Sequence, residues 1–189
     1  MIKIGILGDI GSGKSYVANN FGHPVFNADK EVSELYKKDR KVFNKLKKSL
    51  PKYFNLFPVE KKEILNAILA NNQNLRKIVK IVHLEIRKKM NFFLKQNMNK
   101  KIVILDIPLL LENKINKKND ILVFVQSKKI DILKRLKKRD NFNKKLWEKF
   151  KNIQLPLDYK KKKSQFIIKN NFTKKSVKKN INNILKEIL

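Results

Sequence analysis

The chain has 189 residues, 42% of them hydrophobic, which suits one compact domain with smaller inserted lobes and a core of ordinary size. It contains no cysteine, so disulfides and thiolate metal sites are excluded. Lys and Arg number 46 against 16 Asp and Glu, a formal net charge of +30. Clustered cations would point to a nucleic-acid binder, because they gain affinity by releasing counterions from phosphates. Here the lysines are spread along nearly every predicted helix, and Lys, Asn and Ile are abundant where Gly, Pro and Trp are scarce. An AT-rich coding bias accounts for that pattern better, so no specific nucleic-acid partner is expected. No stretch reaches the roughly 18 apolar residues of a membrane span. The opening run MIKIGILGD is too short for a signal peptide and is interrupted by Asp9. No membrane association and a cytoplasmic location are the expectation.

In chain order, residues 2–7 form an apolar run that reads as a buried strand, and residues 15–21 read as the first helix. Between them lies a glycine-rich loop. Further strand-length runs rich in Val, Ile and Phe occupy residues 24–26, 102–105, 121–125 and 166–168. Their near-continuous hydrophobicity, without alternation, predicts strands covered on both faces and hence a parallel sheet with helices on each side. The stretch 29–99 is helical in pattern, broken by Pro51 and Pro58, with its longest helix over 74–96. The predicted fold is α/β: a three-layer sandwich of about five parallel strands formed by residues 1–28 and 100–189, with 29–99 as an inserted helical lobe. A second insertion, about 137–164, is dense in Lys and Arg and reads as a small mobile lid.

All five glycines lie within the first 22 residues. Residues 8–15, Gly-Asp-Ile-Gly-Ser-Gly-Lys-Ser, match the phosphate-binding pattern G-x-x-x-x-G-K-[ST] between a strand and a helix. The pattern has a physical cause. Backbone N–H groups must curl around phosphate oxygens, a Cβ would obstruct that approach, and the following helix turns its positive end toward the same space. Lys14 would reach the β- and γ-phosphates, and Ser15 would offer a hydroxyl to Mg²⁺.

Asp29 follows the second strand, at the end that faces the ligand crevice in parallel sheets. A carboxylate there could orient an attacking hydroxyl or take its proton, and it could equally cap the next helix. Asp106 ends the strand at 102–105, a position that favours Mg²⁺ over a plain loop role. His83 and Arg87, four apart, share a helix face. They could contact a phosphorylated substrate, although a packed histidine fits His83 alone as well. Arg135 and Arg139, also four apart, could grip ATP phosphates, or they could simply be solvated.

The segments GDIGSGKS, NADKEVSELY, HLEIRKKM, LDIPLLLEN, RLKKRD and QLPLDYKKKKSQFIIKNN, taken in this order and spacing, resemble the dephospho-coenzyme A kinases over nearly the whole chain. Pro108, Leu109 and Leu110 followed by Glu112 are the most telling residues after the loop. The resemblance implies transfer of the γ-phosphoryl of ATP, with Mg²⁺, to the ribose 3′-hydroxyl of dephospho-coenzyme A. It implies a sheet core with a helical coenzyme A lobe and a lid. Asp29, Lys14 and Arg139 would be catalytic. Gly8, Ile10, Gly11, Ser12, Gly13, Lys14, Ser15, Tyr16, Arg135 and Arg139 would hold ATP. Asp29, His83, Arg87, Pro108 and Leu109 would meet the acceptor, Ser15 and Asp106 the metal. Gln154 and Asn170 also fall on typical family positions. The chain departs from the family at Asn27, where an aspartate is usual, at Leu84 for proline, at Ser164-Gln165 for Ala-Asp, and at Tyr16 for Ser or Thr. The competing readings are a P-loop kinase for a nucleoside monophosphate or small metabolite, and a basic nucleic-acid-binding ATPase, which no aromatic-interleaved basic motif supports.

Overall fold

The computed structural model describes residues 1–138 and 142–189. Within them, five strands, β1 (Ile2–Gly8), β2 (Val25–Asn27), β3 (Ile102–Asp106), β4 (Ile121–Gln126) and β5 (Phe166–Lys169), form one sheet in the order β2-β3-β1-β4-β5. Every neighbouring pair is parallel. The five strands are those expected from the apolar runs, their ends displaced by a single residue.

Alternate residues of a strand face opposite sides of a sheet, and both sides here are apolar. On one side, Ile4, Ile6, Ile102, Ile104, Val123, Val125 and Ile168 pack with Val17, Ala18 and Phe21 of α1 (Lys14–Asn20 and its C-cap) and with Val177, Ile181 and Ile184 of a C-terminal helix (Lys174–Ile188). Each such side chain, fully withdrawn from water, contributes roughly 1.5–3 kcal/mol. This layer therefore holds the carboxyl ends of the strands in fixed register. On the other side, a helix at Leu157–Lys163 packs against β1 and β4. Leu110 sits directly on Gly5, so closely that a Cβ there would come within 2.6 Å of Leu110 Cδ2. Because this second helix rests on the sheet, with Lys160 buried beneath it, it belongs to the sheet layer and not to a mobile lid.

The order of connection reverses at β1, whose neighbours β3 and β4 come later in the chain. In such sheets the crevice beyond the carboxyl ends at that point is where ligands bind. The loop after β1 opens there.

The chain divides into two compact units, Met1–Asn27 with Asn97–Leu189, and Ala28–Gln96. The second is helical: α2 (Ala28–Lys38), α3 (Arg40–Ser49), α4 (Lys61–Ala70) and α5 (Asn72–Gln96). Asp39 starts α3 by accepting from the backbone N–H groups of Lys41 and Val42. Glu60 and Glu63 form a reciprocal capping box at the start of α4. Pro51 and Pro58 fall in the connection between these helices, where their missing N–H groups interrupt no ladder. The 25-residue α5 buries Leu75, Ile78, Val82 and Ile86, at helical spacing, and contacts α2, α3 and α4. Ion pairs Lys45–Glu85 at 2.9 Å and Lys89–Glu31 at 2.9 Å flank this core. In the remainder of the first unit, α6 (Lys129–Lys137) and α7 (Lys144–Asn152) precede α8 (Leu157–Lys163), and α9 (Lys174–Ile188) closes the chain. No described helix is long and apolar enough to cross a membrane.

Candidate active site

The loop between β1 and α1 is shaped by its glycines. Gly13, at the entry to α1, has φ 91, the left-handed region. A Cβ at this position would collide with the side-chain amide of Asn170 and approach Phe172 Cε1 to 3.2 Å. Glycine is needed for the turn and for the space. Having no side chain, Gly13 leaves the first turn of α1 uncapped by any side chain, open to an anionic ligand.

The loop is held from below. Ser12 is fully buried, and its carbonyl accepts from Ser127 Oγ at 2.9 Å and from Asn170 Nδ2 at 2.8 Å. Ser127 directly follows β4 and Asn170 directly follows β5, so the carboxyl ends of three neighbouring strands converge on one loop. The Lys14 ammonium folds across the mouth, donating to the Asp9 carbonyl at 2.8 Å and the Gly8 carbonyl at 3.3 Å. Ile10 N–H donates to Asp9 Oδ1 at 2.7 Å. Tyr16 lies partly exposed on the first turn, its carbonyl accepting from Asn20 Nδ2 at 2.8 Å.

Beside the loop, Asp106 ends β3 in register with Asn27, which ends β2. Asn27 Nδ2 donates to Asp106 Oδ2 at 2.6 Å, and the Ser15 hydroxyl also donates to this carboxylate. Asp106 is 3% exposed. Burial pushes its carboxyl above the usual aspartate value, and the Ser15 hydrogen bond, the Lys14 charge and the Asn27 amide act against that rise. Asn27 thus has a physical role at its departure from the family pattern. A second carboxylate paired across the strands would repel Asp106, whereas the amide donates to it. Gln165 is similar: its side-chain oxygen accepts from Leu122 N–H at 2.8 Å while its own N–H donates to the Leu122 carbonyl at 3.0 Å, extending the β4–β5 pairing.

The other predicted residues are distributed as follows. Pro108 and Leu109 lie in the turn after β3, with Leu109 at φ 58 and its carbonyl accepting from Asn113 Nδ2 at 3.0 Å. The turn continues to Glu112, whose Oε1 accepts from the Lys160 ammonium at 2.6 Å and from Leu155 N–H at 2.9 Å. Gln154 sits in the short link between α7 and α8. The Arg135 guanidinium lies over the Phe172 ring, 4.2 Å from its centroid. Arg139 lies outside the described residues. In the helical unit, Asp29 is the second residue of α2, two positions past Asn27, from which a side chain would cap the helix. His83 is half-buried on α5, and Arg87 is exposed one turn on. Burial, and then the charge of Arg87, hold His83 below the ordinary histidine value. Sequence reasoning missed Ser127 and Phe172. The signal for Ser127 was its place immediately after a buried strand. For Phe172 there was none beyond its nearness to Asn170.

The family model for dephospho-CoA kinase matches residues 2–176. The chain belongs to this family. A dephospho-CoA kinase of Wolbachia pipientis wMel is 32% identical over 187 residues, spanning 96% of this chain and 95% of that protein. A crystal structure of a Thermus thermophilus protein superposes with a TM-score of 0.81 at 23% identity, covering 100% of this chain and 98% of that one. The dephospho-CoA kinase of Campylobacter jejuni superposes with a TM-score of 0.62 at 21% identity, covering 98% and 96%. Membership of the dephospho-CoA kinase family makes the chain an ATP-using kinase with a small-molecule acceptor.

Proposed function

We propose that the chain transfers the γ-phosphoryl of ATP to the ribose 3′-hydroxyl of dephospho-coenzyme A, giving coenzyme A in the last step of its biosynthesis, in the cytoplasm. The observation that carries this reading is the conjunction of Lys14 and Ser15 on the anchored loop with the Asp106 carboxylate at the adjoining strand end.

The donors fit a magnesium nucleotide. An alcohol and a carboxylate in direct contact are hard oxygen ligands. Mg²⁺ needs only one or two protein oxygens when phosphates and water complete its shell. Consistently, no group of three His, Asp or Glu side chains among the described residues could hold a metal alone. Ser15 and Asp106 would hold the ion, which when bound would neutralise phosphate charge. Asp106 must be ionised for that; burial works against the ionised form, and the neighbouring Ser15, Lys14 and Asn27 work for it.

Phosphoryl transfer asks the protein mainly for positioning and electrostatic stabilisation. The loop amides and Lys14 would hold the β- and γ-phosphates. As the 3′-oxygen bonds to the γ-phosphorus, the bond to the β–γ bridging oxygen breaks and ADP departs. Asp29 would orient the attacking hydroxyl and accept its proton as the transfer completes. His83 and Arg87, with Pro108 and Leu109, are assigned to the acceptor, residues 29–99 to its lobe, and Arg139 to the transferring phosphoryl.

A coupled assay tests this. Purified protein with ATP, Mg²⁺ and dephospho-coenzyme A should release ADP and form coenzyme A in equal amounts, and chelation of the metal should stop both. Turnover with nucleoside monophosphates but not dephospho-coenzyme A, or ATP hydrolysis that rises only when DNA is added, would overturn the assignment.

A further inference from the structure

Asn27 does more than satisfy a buried carboxylate. It is the last residue of the edge strand β2 and stands in register with Asp106, the last residue of β3. Residues in register point to the same face of a sheet, so backbone pairing sets the two side chains side by side. Asn27 Nδ2 donates to Asp106 Oδ2 at 2.6 Å. An ionised carboxylate only accepts, which fixes the orientation of the amide, with its NH₂ toward Asp106. Asp106 is withdrawn from water, and the Ser15 hydroxyl donates to the same carboxylate from the first turn of α1. Held by one hydrogen bond from β2 and another from α1, the carboxylate has little freedom to rotate.

We infer that Asn27 is a positioning residue that sets the metal preference of the site, by holding Asp106 as a one-oxygen ligand. This rests on the reading of Ser15 and Asp106 as the residues that hold Mg²⁺. With Oδ2 engaged by the amide, Asp106 can offer a cation one oxygen but not the two-oxygen bite of a free carboxylate. Mg²⁺ is small, demands near-octahedral ligands and combines a carboxylate with phosphates and water. One fixed oxygen suits it. Ca²⁺ is larger, gathers about six to eight oxygens in flexible geometry and readily takes both from one carboxylate. Against Ca²⁺ the Asn27 hydrogen bond is an obstacle, because it must break before Oδ2 can turn to the ion. A role for Asn27 in folding alone would draw no distinction between the two ions.

The test is titration calorimetry of the whole chain with ADP over a series of Mg²⁺ or Ca²⁺ concentrations, and with metal chelated. Wild type, Asn27→Leu and Asn27→Ala are compared. Wild type should bind ADP more tightly as Mg²⁺ is added, and should need more Ca²⁺ than Mg²⁺ for the same gain. Asn27→Leu is close in size but cannot donate. The Mg²⁺ it needs should rise about 10- to 100-fold, the range for loss of a partner behind a metal ligand. The Ca²⁺ it needs should rise less or fall, and its ADP affinity without metal should match wild type. Asn27→Ala should move the Mg²⁺-to-Ca²⁺ ratio the same way, which keeps the test intact if leucine does not fit the end of β2. An unmoved ratio in the folded variants, or an equal loss of ADP binding with and without metal, overturns the role of Asn27 and leaves the metal reading standing. Wild-type binding that ignores Mg²⁺ overturns the metal reading and this inference with it.

Discussion

The sheet unit and the helical unit put function into the chain in different ways. The sheet unit contains all five glycines, and the helical unit, residues 28–96, contains none. Around the phosphate loop the backbone itself is the instrument. Amides must converge, φ must turn positive, and a Cβ at Gly13 has no room, so few residue types can stand there. In the helical unit the backbone is ordinary helix, and any function resides in side chains such as Asp29, His83 and Arg87. A site built from backbone is written in residue types that have few other uses, whereas a site built from helix side chains is written in common ones.

Four substitutions sharpen or break this contrast. The largest effect is expected at Asp29. Asp29→Asn keeps the shape of α2 and removes the carboxylate proposed to accept the proton, so kcat should fall about 10²- to 10⁴-fold with ATP affinity little changed. Steady-state kinetics measures it, and an unimpaired variant would move the chemistry wholly into the sheet unit. Next, Lys14→Ala removes the ammonium at the loop mouth. It should lower kcat about 10²- to 10³-fold and raise KM for ATP, while the melting temperature stays close to wild type. Third, Gly13→Ala forces a Cβ into left-handed backbone and against Asn170, at a cost of about 1–3 kcal/mol in stability. Denaturant unfolding should show that loss together with a drop in ATP affinity. A stable, ATP-binding Gly13→Ala protein would refute the claim that backbone is the instrument.

The smallest effect concerns His83 and reads on stability. Its folded pKa lies below the ordinary value of about 6.5. The unfolded chain therefore takes up the proton first as pH falls. The stability in question is intact above about pH 6.5 and is lost as pH falls through the lowered folded pKa. Melting curves from neutral to mildly acidic pH should show a shallower decline for His83→Gln than for wild type. An identical slope would mean that burial does not hold this imidazole neutral.

The strands and the loop were legible because their signals are local. Apolar runs such as 102–105 and 121–125 can be read without knowing their neighbours, and the glycine spacing names its own turn. The partners of the loop were harder. Ser127 and Asn170 come 115 and 158 residues after the Ser12 carbonyl they hold, and only the parallel stacking of β4 and β5 beside β1 unites them. The stretch of about 137–164 reads as a lid from its Lys and Arg, but a buried lysine and an exposed one are the same letter, and Lys160 turns inward to Glu112.

The Glu112–Lys160 contact has a consequence for how this protein can vary. Lys160 is 2% exposed, and one oxygen of Glu112 is buried with no hydrogen-bond partner among the described residues. Losing either charge alone would strand the other in a dry setting, a penalty of about 3–5 kcal/mol, whereas replacing both with well-packed apolar side chains is often nearly neutral. The turn after β3 and the helix on the sheet are therefore bound to a shared fate. Evolution or engineering can rewrite them as a couple, and has no viable halfway house between the two spellings.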